Sequence, residues 1–338
     1  MHFIDVNVLR TQVKLTKLSF FTHSQVIFRR LKKAIQFLLF SNLYLAIIAI
    51  LACKASLRLF GLPASQHLLL FVGAATLCSY SLHWALTYAE NTPLQNMPLQ
   101  NTPLQNTRLQ NTRLQNTYVN DNYSENSSLE NTASERLIWT KKHRKVLYLF
   151  GILGGIVAAF FAIEFRHFWF ILLPLAALTF IYTAPKIPFS PFTYLRGKAI
   201  AKTLYLSLVW TIVIAVLPMV FAKVTWTAAM TCYLVNRFCF TFALCALFDD
   251  RDKGTDALSG IKNLLSTLSE TAFDRFFYLL LSLLFGSFIG LNACFFTIKQ
   301  LFPFLFTTVL LLLFYKKIKR TNSDYWYYGV LDGLMAAF

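Results

Sequence analysis

This sequence has little acid. Asp and Glu together number 15 in 338 residues, against 32 Lys and Arg, and charged residues of both signs make up only 14%. Soluble domains carry about 25% charged residues, so a water-facing globule is excluded as a description of the whole chain. There are six cysteines, Cys53, Cys78, Cys232, Cys239, Cys245 and Cys294, and no two form a C-x-x-C pair. That spacing gives no zinc or thiol-redox signature and no disulfide framework. The first 33 residues are basic and broken by polar side chains, without a cleavable-signal pattern. Strict apolar–polar alternation is also missing from the apolar stretches, which argues against the strands of a membrane barrel.

What is abundant is hydrocarbon. Hydrophobic residues are 56% of the chain and include 34 Phe. They fall in runs of about 15 to 23 residues, the length needed to cross ~30 Å of bilayer core as helix. Backbone groups in lipid find no outside partners, so such runs are expected to be helices. Spans are predicted near Ala34 to Cys53, Leu68 to Tyr88, Val146 to Ile163, Phe168 to Thr183, Ala199 to Val220, Trp226 to Phe248, Phe276 to Ile298 and Leu301 to Tyr315. Tyr325 to Phe338 is a shorter apolar piece, a partial ninth helix. The expected fold class is therefore all-α, a polytopic membrane helical bundle of eight to nine transmembrane helices. In domain terms the reading is a basic tail 1–33, two helices in 34–89, a low-complexity insert 90–144 and the remaining bundle 145–338.

The net charge of +17 raises nucleic acid as a partner, so the placement of the cations decides. With the N-terminus inside, 26 of the 32 basic residues fall on the inner segments and five on the outer ones, leaving Arg237 within a span. That asymmetry is the positive-inside pattern of a multi-pass membrane protein with a cytoplasmic N-terminus. It makes nucleic-acid binding unnecessary. The basic tail reads either as an amphipathic helix on the inner face, anchored by residues such as Val13, Leu15, Leu18 and Val26, or as a topogenic tail. Between spans two and three stand five consecutive pentads, NTPLQ, NMPLQ, NTPLQ, NTRLQ and NTRLQ. A period of five fits neither helix nor strand, and the apolar content is too low to fold, so this insert is expected to be disordered.

Because acids are so few, their clustering carries information. Four of them stand within Asp249-Asp250-Arg251-Asp252-Lys253-Gly254-Thr255-Asp256, at the end of the sixth span. At ~100° per residue, Asp249, Asp252 and Asp256 fall within an arc of about 60° on one helix face. Three carboxylates on one face repel one another unless a cation joins them, and Mg²⁺ takes hard oxygen ligands and bridges carboxylates to phosphates. The plainer reading is a solvated, charged helix terminus. Basic residues at the same face, Arg196, Lys198 and Lys202 in one segment and Lys262 in Ser259-Gly260-Ile261-Lys262, suit an anionic phosphate. Arg237, mid-span, reads either as a cation lining a wet cavity or as a structural partner for a residue such as Asp332.

The stretch from Arg237-Phe238 through Phe248-Asp249-Asp250-Arg251-Asp252, then Asp256 and Ser259-Gly260-Ile261-Lys262, resembles the second aspartate-rich motif of the UbiA-type intramembrane prenyltransferases. Phe40-Ser41-Asn42-Leu43, Tyr182-Thr183-Ala184-Pro185 and Lys198 to Trp210 are similar to other portions of that family. The resemblance implies a ring of helices around a central cavity. It implies Mg²⁺ held by Asp249, Asp252 and Asp256 as catalytic residues, with Asn42, Lys198, Arg237, Arg251 and Lys262 on the substrate side. The substrates implied are a prenyl diphosphate and a lipophilic acceptor. The family's first motif, N-D-x-x-D-x-x-x-D, is missing. The matching stretch reads Ser79-Tyr80-Ser81-Leu82-His83-Trp84-Ala85-Leu86-Thr87-Tyr88, without one carboxylate. His83 does not replace a hard-metal ligand and reads more readily as a packing residue. A diverged, non-catalytic binder of a lipid diphosphate, or a membrane transporter, are the alternatives; no internal repeat supports the transporter.

Overall fold

In the computed structural model of the chain the residues described are 25–87, 134–183, 202–258, 268–294, 296–321 and 323–336, with no side-chain description at 181–182, 202 and 254–258. All of their regular structure is helical. Six helices are long and apolar enough to cross a membrane, seven if one bent pair counts as a single span. The protein is thus a multi-pass helical membrane protein.

That bent pair replaces the first expected span. Residues Gln25–Phe40 form α1, Leu43–Leu59 form α2, and the two axes differ by 60°. The break has a local cause. Asn42 sits at φ 68°, in the left-handed region, which Asn tolerates far better than most residues.

Helix α3 (Gln66–Thr87) follows α2 and leads, past the insert, to α4 (Glu135–Lys142). Helix α4 lies inside the stretch expected to be low-complexity insert, so the ordered bundle begins by Ser134 rather than at 145. Its ends suit a helix: Glu135 is in the first turn and Lys141 and Lys142 in the last, complementing the backbone dipole. Helix α5 (Arg144–Glu164) then packs along α3 more extensively than any other pair of elements. Gly154 permits that approach, since a Cβ there would lie 2.8 Å from the Ala74 carbonyl oxygen. Small residues at helix contacts serve this purpose in membranes, where apolar burial alone does not drive helices together.

Helix α6 (Trp169–Thr183) has 15 residues and contains Pro174. At 1.5 Å per residue it spans only about 22 Å, short of a full crossing. Helix α7 runs through Lys202–Thr211, a π-helical turn at Ile212–Val216, and Leu217–Phe221. The widened turn leaves the Ile214 carbonyl to accept from the Ser56 hydroxyl, which also meets Tyr233 Oη at 2.7 Å. Helix α8 (Ala228–Leu258) is the longest, with 31 residues, and touches α7, α9 (Glu270–Ala293) and α10 (Ile298–Lys319). Ser269 caps α9, and a reciprocal Thr297–Gln300 capping box starts α10. The expected ninth piece is a short π-helical segment, α11 (Trp326–Leu331), rather than a span.

The inner surfaces meet around Tyr233, Phe240, Phe273, Phe277, Leu284 and Leu311, all buried. Phe160, Leu173, Ile289 and Leu313 point outward and are largely exposed. Apolar side chains on the outside and aromatic ones within are what a bilayer solvent requires.

Candidate functional site

Two places in the bundle combine polar chemistry with enclosed space. They meet at α7.

The first is an apolar cavity of about 650 Å³ between α3, α5, α6 and α7. Phe71, Val72, Ala158, Ala162, Leu172, Val209 and Trp210 give its walls their character; Tyr80, His83, Tyr205 and Arg166 are among the fewer polar side chains on the lining. Trp210 Nε1 donates to Tyr80 Oη at 2.7 Å, fixing one wall. His83 is on this lining and packs edge-on to Trp84 at 6.2 Å between ring centroids. The volume falls in the 300–1,000 Å³ range of ligand sites, whose walls are mostly apolar with a few placed polar groups.

The other face of α7 is polar. Thr203, Ser207 and Thr211, at i, i+4 and i+8, turn toward α8 and are buried. Thr211 and Thr241 share a hydroxyl contact of 3.2 Å, Thr241 reaches the Ser207 carbonyl at 3.2 Å, and Thr203 donates to the Asp249 carboxylate. Arg237, Thr241, Cys245 and Asp249 follow one another at i, i+4, i+8 and i+12 on α8, and this face is packed against α7 and the core. Arg237 is wholly buried, bonds Asn236 Oδ1 through Nε at 3.1 Å, and lies 4.7 Å from the Phe304 ring centroid. It does not line the 650 Å³ cavity.

The second place is the end of the bundle where α8 emerges. Asp249 is 4% exposed. Asp250 pairs with Lys253 at 2.6 Å, one turn on. Asp252 accepts from Arg251 Nε at 2.8 Å and its side chain is 36% exposed. Arg251 also reaches Asp324 at 3.4 Å and Tyr328 Oη at 3.0 Å, and stacks near Tyr327. Asp256 continues the row on α8, but its side chain lies outside the described residues, as do Lys198 and Lys262 entirely. Among the described residues no three His, Cys, Asp or Glu side chains converge as a metal site. What the described part does contain is two carboxylates one turn apart, one buried and one open, with the third expected a turn further out.

The residue at the centre of this cluster is one that the reading of the sequence did not single out. Arg136 of α4 is only 2% exposed. Its guanidinium lies between the Trp84 ring at 4.1 Å and the Tyr328 ring at 3.9 Å, and donates to Asn42 Oδ1 at 2.6 Å. Asn42 in turn donates to Ser81 Oγ at 3.3 Å. Asp324 receives the Arg136 backbone N–H at 2.9 Å and the Ser134 hydroxyl at 2.7 Å, so one carboxylate ties α4 to Arg251 of α8. Burial pushes the Arg136 guanidinium below its ordinary value, against the pull of Tyr328, Asp332 and Asp324. Asp332 is pushed up to about 7 by burial, partly offset by Arg136 and Arg251. The cationic neighbours of Asp332 are these two, rather than Arg237. The one available signal for Arg136 was Ser134-Glu135 followed by a Leu-Ile-Trp run after a long polar stretch, a helix start that the surrounding charge obscured.

Compared with known proteins, the chain matches no family model, no curated sequence and no solved structure. The class that the fold defines is a multi-pass α-helical membrane protein with an apolar cavity beside a networked polar end.

Proposed function

We propose that this chain is an intramembrane prenyltransferase of the UbiA type, moving a prenyl group from a prenyl diphosphate to a lipophilic acceptor with Mg²⁺. The observation that carries the reading is the two-sided helix α7, with Tyr205, Leu206 and Val209 on the cavity and Thr203 on Asp249. An apolar chain held in the cavity has its head end within a turn or two of the acidic row. The family's ring of eight to nine spans around a central cavity is part of this proposal; the six or seven long helices and the short α6 are what supports it. The cation excess in the sequence supports reading this end, and the N-terminus, as cytoplasmic.

Asp249, Asp252 and Asp256 supply the oxygen donors expected for Mg²⁺, which would neutralise the departing diphosphate. Lys198 and Lys262 add positive charge to the same group. The bond that breaks is the allylic carbon–oxygen bond, its electron pair leaving on the diphosphate. The acceptor's electron pair forms the new bond to carbon, and the acceptor then releases a proton. The apolar lining excludes water from the electron-poor carbon in between. Membranes containing the protein should release pyrophosphate from a prenyl diphosphate only when Mg²⁺ is present, and Asp252→Asn should abolish this. Equal turnover by that variant would sink the proposal.

One observation favours a second reading, a diverged member that binds a lipid diphosphate without transferring from it. The stretch Ser79 to Thr87, where the family's first acidic motif is expected, has no carboxylate, and the Arg136 cation lies over its Trp84. Binding of a prenyl diphosphate without pyrophosphate release, across donors of several lengths, would favour it.

A further inference from the structure

Helix α1 and helix α4 meet outside the bundle and enclose a pocket of about 490 Å³, lined by Lys33, Gln36, Phe37, Glu135, Ile138, Trp139, Lys142 and His143. We infer that this pocket holds the phosphate headgroup of an anionic phospholipid, with α1 lying along the bilayer surface beside it. The argument starts from the periodicity of α1. At ~100° per residue, Ile27, Phe28, Leu31, Ile35 and Leu38 fall within an arc of about 100°, Lys32 and Arg30 border it on either side, and Arg29, Lys33 and Gln36 fall opposite. All five apolar side chains are exposed, Phe28 at 69%. An unpartnered apolar face with cations on the reverse is the pattern of a helix that lies in the headgroup region. The 60° bend at Asn42 turns α1 away from the direction of α2, as such a placement requires.

Charge within the pocket points to the ligand. Its acid, Glu135, is already engaged: Lys32 lies 3.7 Å away, Gln36 donates to it at 2.9 Å and Tyr325 Oη at 3.0 Å. Lys33 and Lys142 have no carboxylate partner among the described residues, and both project into the same space. His143 stacks on Trp139 at 4.3 Å, which closes the wall behind them. Two ammonium groups facing a cavity with Phe37, Ile138 and Trp139 at its edge suit a phosphate with acyl chains attached, better than a free anion. Occupancy also supports α4. A helix of eight residues is marginal alone, and the inward face of this one carries Arg136.

The test uses purified full-length protein in detergent, with bound lipid counted by native mass spectrometry. Dioleoyl phosphatidylglycerol, dioleoyl phosphatidylcholine and inorganic phosphate are the three probes. Phosphatidylglycerol occupancy should exceed phosphatidylcholine occupancy, drop at least fivefold in Lys33→Gln/Lys142→Gln, and survive in Lys33→Arg/Lys142→Arg. A remote pair, Lys54→Gln/Lys299→Gln, should leave it unchanged. Raising salt tenfold on the unaltered protein should weaken it as well, since exposed charges are screened. Three results overturn the inference: full phosphatidylglycerol occupancy in the glutamine pair, equal occupancy by phosphatidylcholine, or displacement of the lipid by millimolar inorganic phosphate.

Discussion

The two sides of α7 solve opposite problems. Toward α3, α5 and α6 it borders the 650 Å³ cavity, whose walls are mostly apolar. Toward α8, and beyond it around Arg136 and Arg251, most polar groups are tied to named partners such as Asn42, Asp324 and Tyr328, although the buried Arg136 Nε and Thr140 hydroxyl have no hydrogen-bond partner among the described residues. A space with few polar demands tolerates chains of different shape. A buried polar network tolerates little, because a donor or acceptor left alone in low dielectric is expensive. Variation should therefore be absorbed on one side of the molecule and punished on the other.

The sharpest break in that comparison is Asp324→Ala. It takes from Arg251 one of its two carboxylates, leaving Asp252, and releases the start of α4; removing a partner from a buried charge pair costs up to roughly 3–5 kcal/mol. Thermal unfolding in detergent should register the loss, and hydrogen exchange should rise through 135–142. Next is Gly154→Val, where the added side chain meets Ala74 backbone. Overpacking of this kind costs about 1–3 kcal/mol, read as a lower melting temperature with α3 and α5 loosened together.

The third prediction is one of pH. Asp332 ionises near 7 in the folded chain and at ~3.9 when unfolded. The folded state therefore binds the proton more tightly, and stability falls as pH rises from about 4 through 7, then levels off. Asp332→Asn should flatten that slope; an unchanged slope would assign it to another group. The smallest effect on stability belongs to the cavity. Ala162→Phe fills space instead of displacing atoms, so melting should move by less than about 1 kcal/mol equivalent, while binding of a long prenyl chain should weaken markedly.

How much of this was legible beforehand differs between the two sides for the same physical reason. Membrane helices announce themselves one segment at a time, so the runs that became α3, α5, α8, α9 and α10 were readable from apolar length alone. The break at Ser41-Asn42 was not, because two polar residues in an apolar run do not reveal that Asn42 will be claimed by Arg136 and Ser81. The acidic row on α8 was visible as a spacing. Its restraints were not, since Thr203, Asp324 and Tyr328 arrive from 46 to 77 residues away in sequence. Arg136 was hidden among other cations, where a count of charges treats it as one more contribution to sidedness.

Asn42 is the joint between α1 and the rest. Its amide is clamped on one side by a guanidinium and on the other by a serine hydroxyl, so the elbow is riveted instead of hinged. A change in bilayer thickness or curvature that tilts α1 then acts as torque on a fixed corner. The corner passes that torque to Arg136 and the two aromatic rings that hold it, and through Tyr328 to the end of α8. The angle at which α1 leaves the bundle and the setting of the acidic row are thus fixed by one continuous chain of contacts.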